Sequence, residues 1–114
     1  METLLAKKEI NSQELEQLIE AREAGKTDFL LVDVREDMEY AMGYIKGVNS
    51  LKPTSTFQTW GETLLSEIKD KTVIFTCRTG NRSGQVQQMF AQNGHQKVIN
   101  HYGGIVSYRG EIAK

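Results

Sequence analysis

The sequence has a single cysteine, a single proline and no long hydrophobic run in its 114 residues. Its longest apolar stretch, Phe29 to Val32, is far shorter than the roughly 20 residues that span a bilayer. Met1 to Lys8 has an acidic second residue and no apolar centre, so no secretory signal is expected. With neither a membrane span nor a secretory signal, we expect a cytoplasmic protein with no membrane partner. Because one cysteine cannot form an internal disulfide, we also expect a free thiol at Cys77.

The chain also lacks an excess of charge of either sign. Fourteen Lys and Arg residues against fifteen Asp and Glu residues give a net charge of -1, which is too small to attract a polyanion. Nucleic acid is therefore not an expected partner, whereas a small anion is not excluded. With 39% hydrophobic and 25% charged residues, the composition is that of a globular protein, and the length predicts a single domain over residues 1–114.

Short β-rich segments alternate with segments of helical periodicity, a pattern that predicts an α/β fold with a parallel sheet and helices on both faces. Asn11 and Glu14 have the spacing of a capping box, which predicts a helix start there. Strands are expected to end at Ile10 and to cover residues 29–34, 48–51, 72–75 and 97–100. Further helices are expected over residues 36–42 and 57–68, and from Ser83 to Asn93.

Cys77 directly follows the segment with the strongest β pattern, at the edge where open α/β sheets place their ligand sites. Its loop contains Gly80 and Asn81, which tolerate a left-handed backbone and can turn successive N–H groups inward around an anion. Arg78, Arg82 and the start of the next helix add positive charge, which favours a thiolate over a thiol. We therefore expect Cys77 to be a nucleophile at neutral pH.

Each of these assignments has a structural alternative. A lone cysteine after a strand is more often a small buried apolar residue than a reactive one. Two arginines, a glycine and a helix start close to Cys77 are a poor environment for an inert thiol, and they favour the reactive role. Asp33 would by default be a turn or capping residue. In a parallel sheet, however, the strand that ends at Asp33 reaches the same edge as Cys77.

Four segments occur in a distinctive order along the chain: Asp33 to Glu36, Glu39 to Val48, Cys77 to Ser83, and Gly103 to Ile105. Together they resemble the single-domain rhodaneses, which are sulfurtransferases, over about Asn11 to Gly110. The resemblance implies a rhodanese-like five-stranded parallel sheet flanked by helices. It also implies that Cys77 carries a persulfide between two half-reactions.

The resemblance further implies roles for individual residues. The loop amides would cradle the persulfide, Arg78 would attract an anionic donor, and Arg82 would close the loop. Asp33 and Arg35 match an Asp-x-Arg motif that braces this loop through ionic hydrogen bonds. The expected persulfide-binding residues are Arg78, Thr79, Gly80, Asn81, Arg82 and Ser83.

Two positions depart from the family pattern. Tyr44 stands where the family usually has a histidine, so this chain has no counterpart for any role of that histidine. Tyr108 stands where a tryptophan often follows the Gly-Gly pair, which predicts a differently shaped pocket rim. Trp60 is expected to pack in the core or at the edge of the pocket, and His95 and His101 are expected to be surface or packing residues.

The implied reaction begins when the Cys77 thiolate attacks the sulfane sulfur of a donor such as thiosulfate. A thiophilic acceptor then takes the outer sulfur, and cyanide, a small thiol or a protein cysteine could serve. No metal or organic cofactor is expected, because Cys77, His95 and His101 do not form a recognisable ligand set.

Three other functions stay open. A thiol-dependent phosphatase uses similar groups, but those enzymes resemble Cys-x5-Arg, whereas Cys77 to Arg82 is Cys-x4-Arg. A non-catalytic interaction module of this fold commonly lacks the cysteine, which this chain keeps. A sulfur carrier that delivers persulfide sulfur to a protein partner is compatible with every residue named above.

Overall fold

Seven short strands and five α-helices make up the computed structural model, which describes residues 1–114. The strands are β1 (Glu9–Ile10), β2 (Leu30–Asp33), β3 (Tyr44–Ile45), β4 (Ser50–Leu51), β5 (Val73–Thr76), β6 (Val98–His101) and β7 (Ile112–Ala113). The helices are α1 (Glu2–Leu5), α2 (Ser12–Glu23), α3 (Asp37–Ala41), α4 (Phe57–Ile68) and α5 (Asn81–Gln92), with short 3-10 helices at Thr54–Thr56 and Ile105–Ser107. None of the helices combines the length and apolar character that a bilayer crossing requires.

Five of the strands form one parallel sheet in the order β1-β6-β5-β2-β4, which confirms the predicted fold class. β5 is the central strand, and Cys77 follows directly after its last residue. Its neighbours β2 and β6 end at Asp33 and His101. Because all these strands run in the same direction, their carboxyl ends bring the three segments to one edge of the sheet.

Helices cover both faces of the sheet, as the alternating pattern predicts. Successive residues of a strand point to opposite faces. Phe75 therefore packs with Phe90 of α5 in a cluster that also holds α4, which we term the α4/α5 face. Ile74 packs instead with Leu18 of α2 in a second cluster, which we term the α2 face. Cys77 belongs to the α4/α5 face.

The start of α2 follows the local rule read from the sequence. The side chain of Asn11 accepts a hydrogen bond from the Glu14 amide at 2.8 Å, and the Glu14 carboxylate accepts one from the Asn11 amide at 2.9 Å. This capping box satisfies two amides that the helix start would otherwise leave unpaired. The helix consequently begins at Ser12 and directs its apolar side toward the sheet.

Several boundaries differ from the sequence-based expectation. α5 begins at Asn81 rather than Ser83, because Gly80 takes a left-handed φ of 99° and occupies the N-cap position. The strand expected over residues 48–51 is limited to Ser50–Leu51. The expected strand over residues 97–100 lies one residue later.

Besides the two 3-10 helices, three elements were not predicted from the sequence. One is the short helix α1, and the others are β3 and β7, an antiparallel pair in which Tyr44 lies opposite Ala113. Strands of two residues are too short to produce a periodic pattern, and these two lie far apart in the chain. Their pairing therefore becomes visible only in the folded structure.

Candidate functional site

The sulfur of Cys77 lies at the centre of the turn that joins β5 to α5. The Gly80 amide donates to Sγ at 3.1 Å, and the Ser83 amide lies 3.5 Å from the same atom. The Ser83 hydroxyl is 3.3 Å from Sγ. Cys77 is only 1% exposed, so its sulfur is surrounded by hydrogen-bonding groups of the loop and not by bulk water.

Two opposing influences set the pKa of the Cys77 thiol. Burial is the largest, and it raises the pKa. Hydrogen bonds from the Ser83 hydroxyl and from the amides of Ser83, Gly80 and Thr79 act in the other direction, and together they lower the pKa below its ordinary value. The lowered pKa expected from the sequence is therefore present. Hydrogen bonds from the loop donors are its main cause, and the charge of Arg82 also interacts favourably with the Cys77 thiolate.

Backbone contacts from the segment after β6 hold the loop in this shape. The Ile105 amide donates to the Cys77 carbonyl at 2.9 Å, and the Val106 amide donates to the Arg78 carbonyl at 3.2 Å. Gly104 has a φ of 66°, and a Cβ there would overlap the backbone of Arg78. Glycine at this position is thus required both by the left-handed backbone and by the close approach of two loops.

Asn100, on β6, contacts the loop from below. Its side-chain oxygen accepts a hydrogen bond from the Ser83 hydroxyl at 2.6 Å, and its side-chain nitrogen donates to the Gly80 carbonyl at 3.2 Å. The residue is only 4% exposed. Asn100 was not among the residues predicted for the site, although a polar amide directly after the apolar residues Val98 and Ile99 is an available signal.

Arg82 closes the loop toward α3. Its two terminal nitrogens donate to the two carboxylate oxygens of Glu39 at 2.7 and 2.9 Å. The Arg82 hydrogen bonds lower the pKa of Glu39 to about 2. Both side chains stay about a third exposed, at 31% and 29%. Arg78, Thr79 and Asn81 are exposed around the same turn.

Asp33 and Arg35 form a buried ion pair beside this loop. The Asp33 carboxylate accepts hydrogen bonds from the Arg35 backbone amide and from its guanidinium at 2.9 to 3.1 Å. Arg35 in turn donates to the carbonyls of Gly43 at 2.8 Å and Glu39 at 3.3 Å. The pair therefore holds α3, and it reaches the Cys77 loop only through the contact of Glu39 with Arg82.

A second buried polar network lies on the α2 face behind the loop. His101 is fully buried, and its two ring nitrogens lie 2.7 Å from the Ser12 hydroxyl and 2.8 Å from the Thr76 hydroxyl. Ser12 also contacts the hydroxyl of Ser107, which donates to the Gly104 carbonyl at 3.0 Å. Burial lowers the pKa of His101 to about 4, so the ring is neutral at neutral pH.

Of the aromatic residues singled out in the sequence, Tyr108 lies on the face opposite Cys77, whereas Trp60 belongs to the same buried cluster as Cys77. Tyr108 packs on the α2 face with its ring 6.3 Å from that of His101, whereas Cys77 belongs to the α4/α5 face. Tyr44 stacks on Tyr40 at 4.3 Å. Trp60 is buried, and its indole nitrogen donates to the Pro53 carbonyl at 2.8 Å. The chain contains no group of three or more His, Cys, Asp or Glu side chains arranged to hold a metal ion.

Residues 12–111 match the family described as rhodanese-like domains. The chain belongs to this family. A rhodanese-like domain protein from Staphylococcus aureus has a crystal structure that agrees with this one at a TM-score of 0.72 and 30% identity. That alignment covers 92% of this chain and 94% of the other.

Sequence relatives of this rhodanese-like domain include proteins of similar length. A sulfurtransferase from Allochromatium vinosum is 38% identical over 101 residues, covering 88% of this chain and 86% of the relative. YtwF of Bacillus subtilis, whose name assigns it provisionally to the sulfurtransferases, is 36% identical over 104 residues, covering 91% and 92%. The chain spans only 28% of a tRNA uridine(34) hydroxylase from Acinetobacter baumannii, which is 34% identical over 89 residues.

Proposed function

We propose that this rhodanese-like domain is a sulfurtransferase that carries sulfur as a persulfide on Cys77. The observation that carries the proposal is the position of the Cys77 sulfur among loop N–H groups, 3.1 Å from that of Gly80 and 3.5 Å from that of Ser83. Converging donors of this kind stabilise negative charge on a buried atom. The relatives that are named sulfurtransferases support the same class of activity.

In the first half-reaction, the Cys77 thiolate attacks the outer sulfur of a donor such as thiosulfate. A new bond joins Sγ to that sulfur, the S–S bond of the donor breaks, and sulfite leaves with the bonding electron pair. The outer sulfur of the resulting persulfide carries negative charge, which the loop N–H groups stabilise. In the second half-reaction a thiophilic acceptor attacks the outer sulfur, and the Cys77 thiolate leaves.

The surrounding residues assist this reaction without exchanging atoms with it. Arg78 lies exposed at the turn, where its charge attracts an anionic donor. Arg82 and Glu39 fasten the start of α5 to α3, and the buried pair of Asp33 and Arg35 holds α3 in turn. The backbone N–H donors of the loop are thereby fixed before the substrate arrives, so they need no reorganisation during the reaction.

A thiol-dependent phosphatase is a weaker candidate on two grounds. The loop has four residues between Cys77 and Arg82, one fewer than the phosphatase pattern. In addition, both terminal nitrogens of Arg82 are already bound to the Glu39 carboxylate. The arginine that would hold a phosphate oxygen is therefore occupied, which favours sulfur over phosphate as the transferred group.

The identity of the acceptor separates a free-standing enzyme from a sulfur carrier. Because Cys77 is only 1% exposed, an acceptor must present its thiol or other thiophilic atom on a narrow group. Cyanide and small thiols meet this requirement, as does a cysteine on a protruding protein segment. Both modes use the same persulfide, so the proposal covers either acceptor.

The deciding experiment is intact-protein mass spectrometry after incubation with thiosulfate. We expect the parent protein to gain one sulfur atom, and to lose it when cyanide is added with release of thiocyanate. Cys77→Ser should abolish both steps and leave the circular dichroism spectrum unchanged, because a serine hydroxyl cannot form a persulfide. Ser66→Ala removes an exposed hydroxyl on α4 that donates to the Thr63 carbonyl at 3.2 Å; it is the matched control and should still form the persulfide.

Two results would contradict the proposal. One is sulfur transfer by Cys77→Ser at the rate of the parent. The other is Cys77-dependent release of phosphate from an aryl phosphate by the parent protein, with no persulfide detected by mass spectrometry.

A further inference from the structure

The hydroxyl of Ser83 has a single hydrogen and two neighbours that compete for it. One is the side-chain oxygen of Asn100 at 2.6 Å, and the other is the sulfur of Cys77 at 3.3 Å. An amide oxygen only accepts hydrogen bonds, so in the contact with Asn100 the serine must be the donor. In the thiol state the serine oxygen can then accept a hydrogen bond from the Cys77 S–H.

The orientation of the Asn100 amide is set by a second contact. Its nitrogen donates a hydrogen bond to the carbonyl of Gly80 at 3.2 Å. The amide oxygen could not replace the nitrogen there, because two acceptor oxygens cannot form a hydrogen bond with each other. Gly84 also packs against this nitrogen: a Cβ at position 84 would lie only 3.2 Å from the side-chain nitrogen of Asn100. The amide therefore cannot offer its nitrogen to Ser83 without losing the contact with Gly80, and its oxygen stays directed at the serine.

Ionisation of Cys77 changes the requirements of this group. A thiolate has no hydrogen to donate, so the serine hydroxyl must turn away from Asn100 and donate to the sulfur. The side-chain oxygen of Asn100, in a residue only 4% exposed, then loses its partner. Leaving a buried acceptor unpaired is unfavourable, so Asn100 opposes formation of the thiolate.

We propose that Asn100 is a positioning residue that controls the state of Cys77 by competing with its sulfur for the hydroxyl hydrogen of Ser83. The effect on the persulfide, described next, rests on the proposed function. When Sγ is bonded to the outer sulfur of a persulfide, the negative charge lies on that outer atom. The serine hydroxyl then returns to Asn100, and the persulfide is favoured over the free thiolate.

The test is the pH dependence of Cys77 alkylation by iodoacetamide, which needs no sulfur donor. Leucine is similar in size to asparagine and its side chain has no polar atom. Asn100→Leu should lower the midpoint pH of alkylation by about one unit, a tenfold change in the ionisation constant of Cys77. Ser83→Ala should raise the midpoint, because the thiolate loses a donor. In the Ser83→Ala background, Asn100→Leu should have no further effect.

The double variant separates this mechanism from a simple loss of loop structure. If Asn100→Leu shifts the midpoint equally with and without Ser83, Asn100 acts through the Gly80 carbonyl and the proposal is overturned. It is also overturned if Asn100→Leu raises the midpoint or leaves it unchanged. Asn100→Ala serves the same purpose if circular dichroism shows that Asn100→Leu is unfolded.

Titratable groups around Cys77 are identical in the parent and in all these variants. They come from the loop, from α3, α5 and β6, and from the end of β2 and the segment after it: Arg78, Glu39, Arg82, His101, Asp33 and Arg35. Asn49→Leu is the matched control, since Asn49 accepts a hydrogen bond from the Leu31 amide at 2.8 Å in another part of the sheet. It should leave the alkylation midpoint unchanged.

A second measurement addresses the persulfide directly. At a pH where the thiolate predominates and at a fixed ratio of sulfite to thiosulfate, Asn100→Leu should reduce the equilibrium ratio of persulfide to free Cys77 about tenfold, matching the one-unit change in midpoint. An unchanged ratio would contradict the proposal. A parent protein that forms no persulfide at all would refute the proposed function, while the alkylation midpoints would still decide the role of Asn100.

Discussion

The two faces of the sheet carry different polar chemistry at the same edge. On the α4/α5 face, donors converge on the sulfur of Cys77, and the Ser83 hydroxyl is shared between that sulfur and a neighbouring amide. On the α2 face, His101 is enclosed by the hydroxyls of Ser12 and Thr76, and each ring nitrogen has a partner. Adjacent residues at the ends of β5 and β6 thus belong to two separate polar networks, one around Cys77 and one around His101.

The difference between the faces follows from strand geometry. Thr76 and Cys77 are consecutive, as are Asn100 and His101, and consecutive residues point to opposite sides of a sheet. A network with every donor and acceptor paired stabilises the fold and has no group left for chemistry. A network that leaves one hydrogen shared by two acceptors can change its state. We therefore expect substitutions on the α2 face to affect stability first and reactivity second.

The largest effect on stability is expected from Asp33→Ala. Asp33 is the last residue of β2 and forms an ion pair with Arg35, and both side chains are almost fully buried. Removing one partner of a buried ion pair leaves the other uncompensated and costs about 3 to 5 kcal/mol. Urea denaturation measures this loss, and sulfur transfer should fall with it because α3 is no longer held.

The control for Asp33→Ala is an ion pair at the surface. Lys46 and Glu111 lie 3.4 Å apart with exposures of 57% and 70%. Glu111→Ala should change the free energy of unfolding by less than about 1 kcal/mol. Equal losses in the two variants would show that the buried pair has no special part in holding the edge of the sheet.

The next effect is a dependence of stability on pH that comes from His101. Burial lowers its folded pKa from 6.5 to about 4, so the unfolded chain binds more protons between these values. Stability should therefore be constant above pH 6.5 with respect to this group, and should fall as the pH decreases toward 4, with a total loss of about 3 kcal/mol. Denaturation at a series of pH values measures the slope.

His101→Gln isolates this contribution, because other groups also titrate in acid. The folded pKa of Glu39 is about 2, so its contribution is lost at lower pH, as the pH falls from 4.5 toward 2. Between pH 6.5 and 4 the variant should therefore show a flatter profile than the parent. Parallel profiles would mean that His101 is not held neutral by burial, and the contrast between the faces would be weakened.

The smallest effect is expected from Glu39→Gln. This change removes the charge that binds Arg82, but both side chains are about a third exposed, at 29% and 31%. Partly exposed pairs contribute about 0.2 to 1 kcal/mol, so the unfolding free energy should hardly change. Persulfide formation should continue at a reduced rate. A complete loss of persulfide would show that Arg82 needs this partner in order to keep the loop donors in place.

Much of the fold could be predicted from local patterns. The capping box at Asn11, the helix over residues 57–68 and the strand before Cys77 all depend on neighbours in the chain, and the structure contains each of them. The pair of β3 and β7 could not be predicted, because it joins residues near position 45 to residues near position 112. The pairing depends on contacts between segments that are distant in the chain.

The candidate site was predictable to a similar extent. Cys77 and its loop were recognisable as a candidate site because a cysteine, a glycine and two arginines lie within one short segment. Asn100 was not recognised, since it lies 17 residues from Ser83 in the chain. The pairing of Arg82 with Glu39, which are 43 residues apart, was likewise not predicted. Both contacts form only because parallel strands bring distant segments to one edge.

The sequence by itself indicated where most of the strands and helices lie and which residue is the candidate nucleophile, because periodicity, capping and loop composition act between near neighbours. Only the tertiary structure decided what the Cys77 side chain contacts. It directed Arg82 to Glu39 instead of to the sulfur, and it made hydrogen bonds of the loop the main cause of the lowered pKa of Cys77. It also placed Asn100 beneath Ser83. The physical reason is that a hydrogen bond requires two groups within about 3 Å, a condition set by strand order and register.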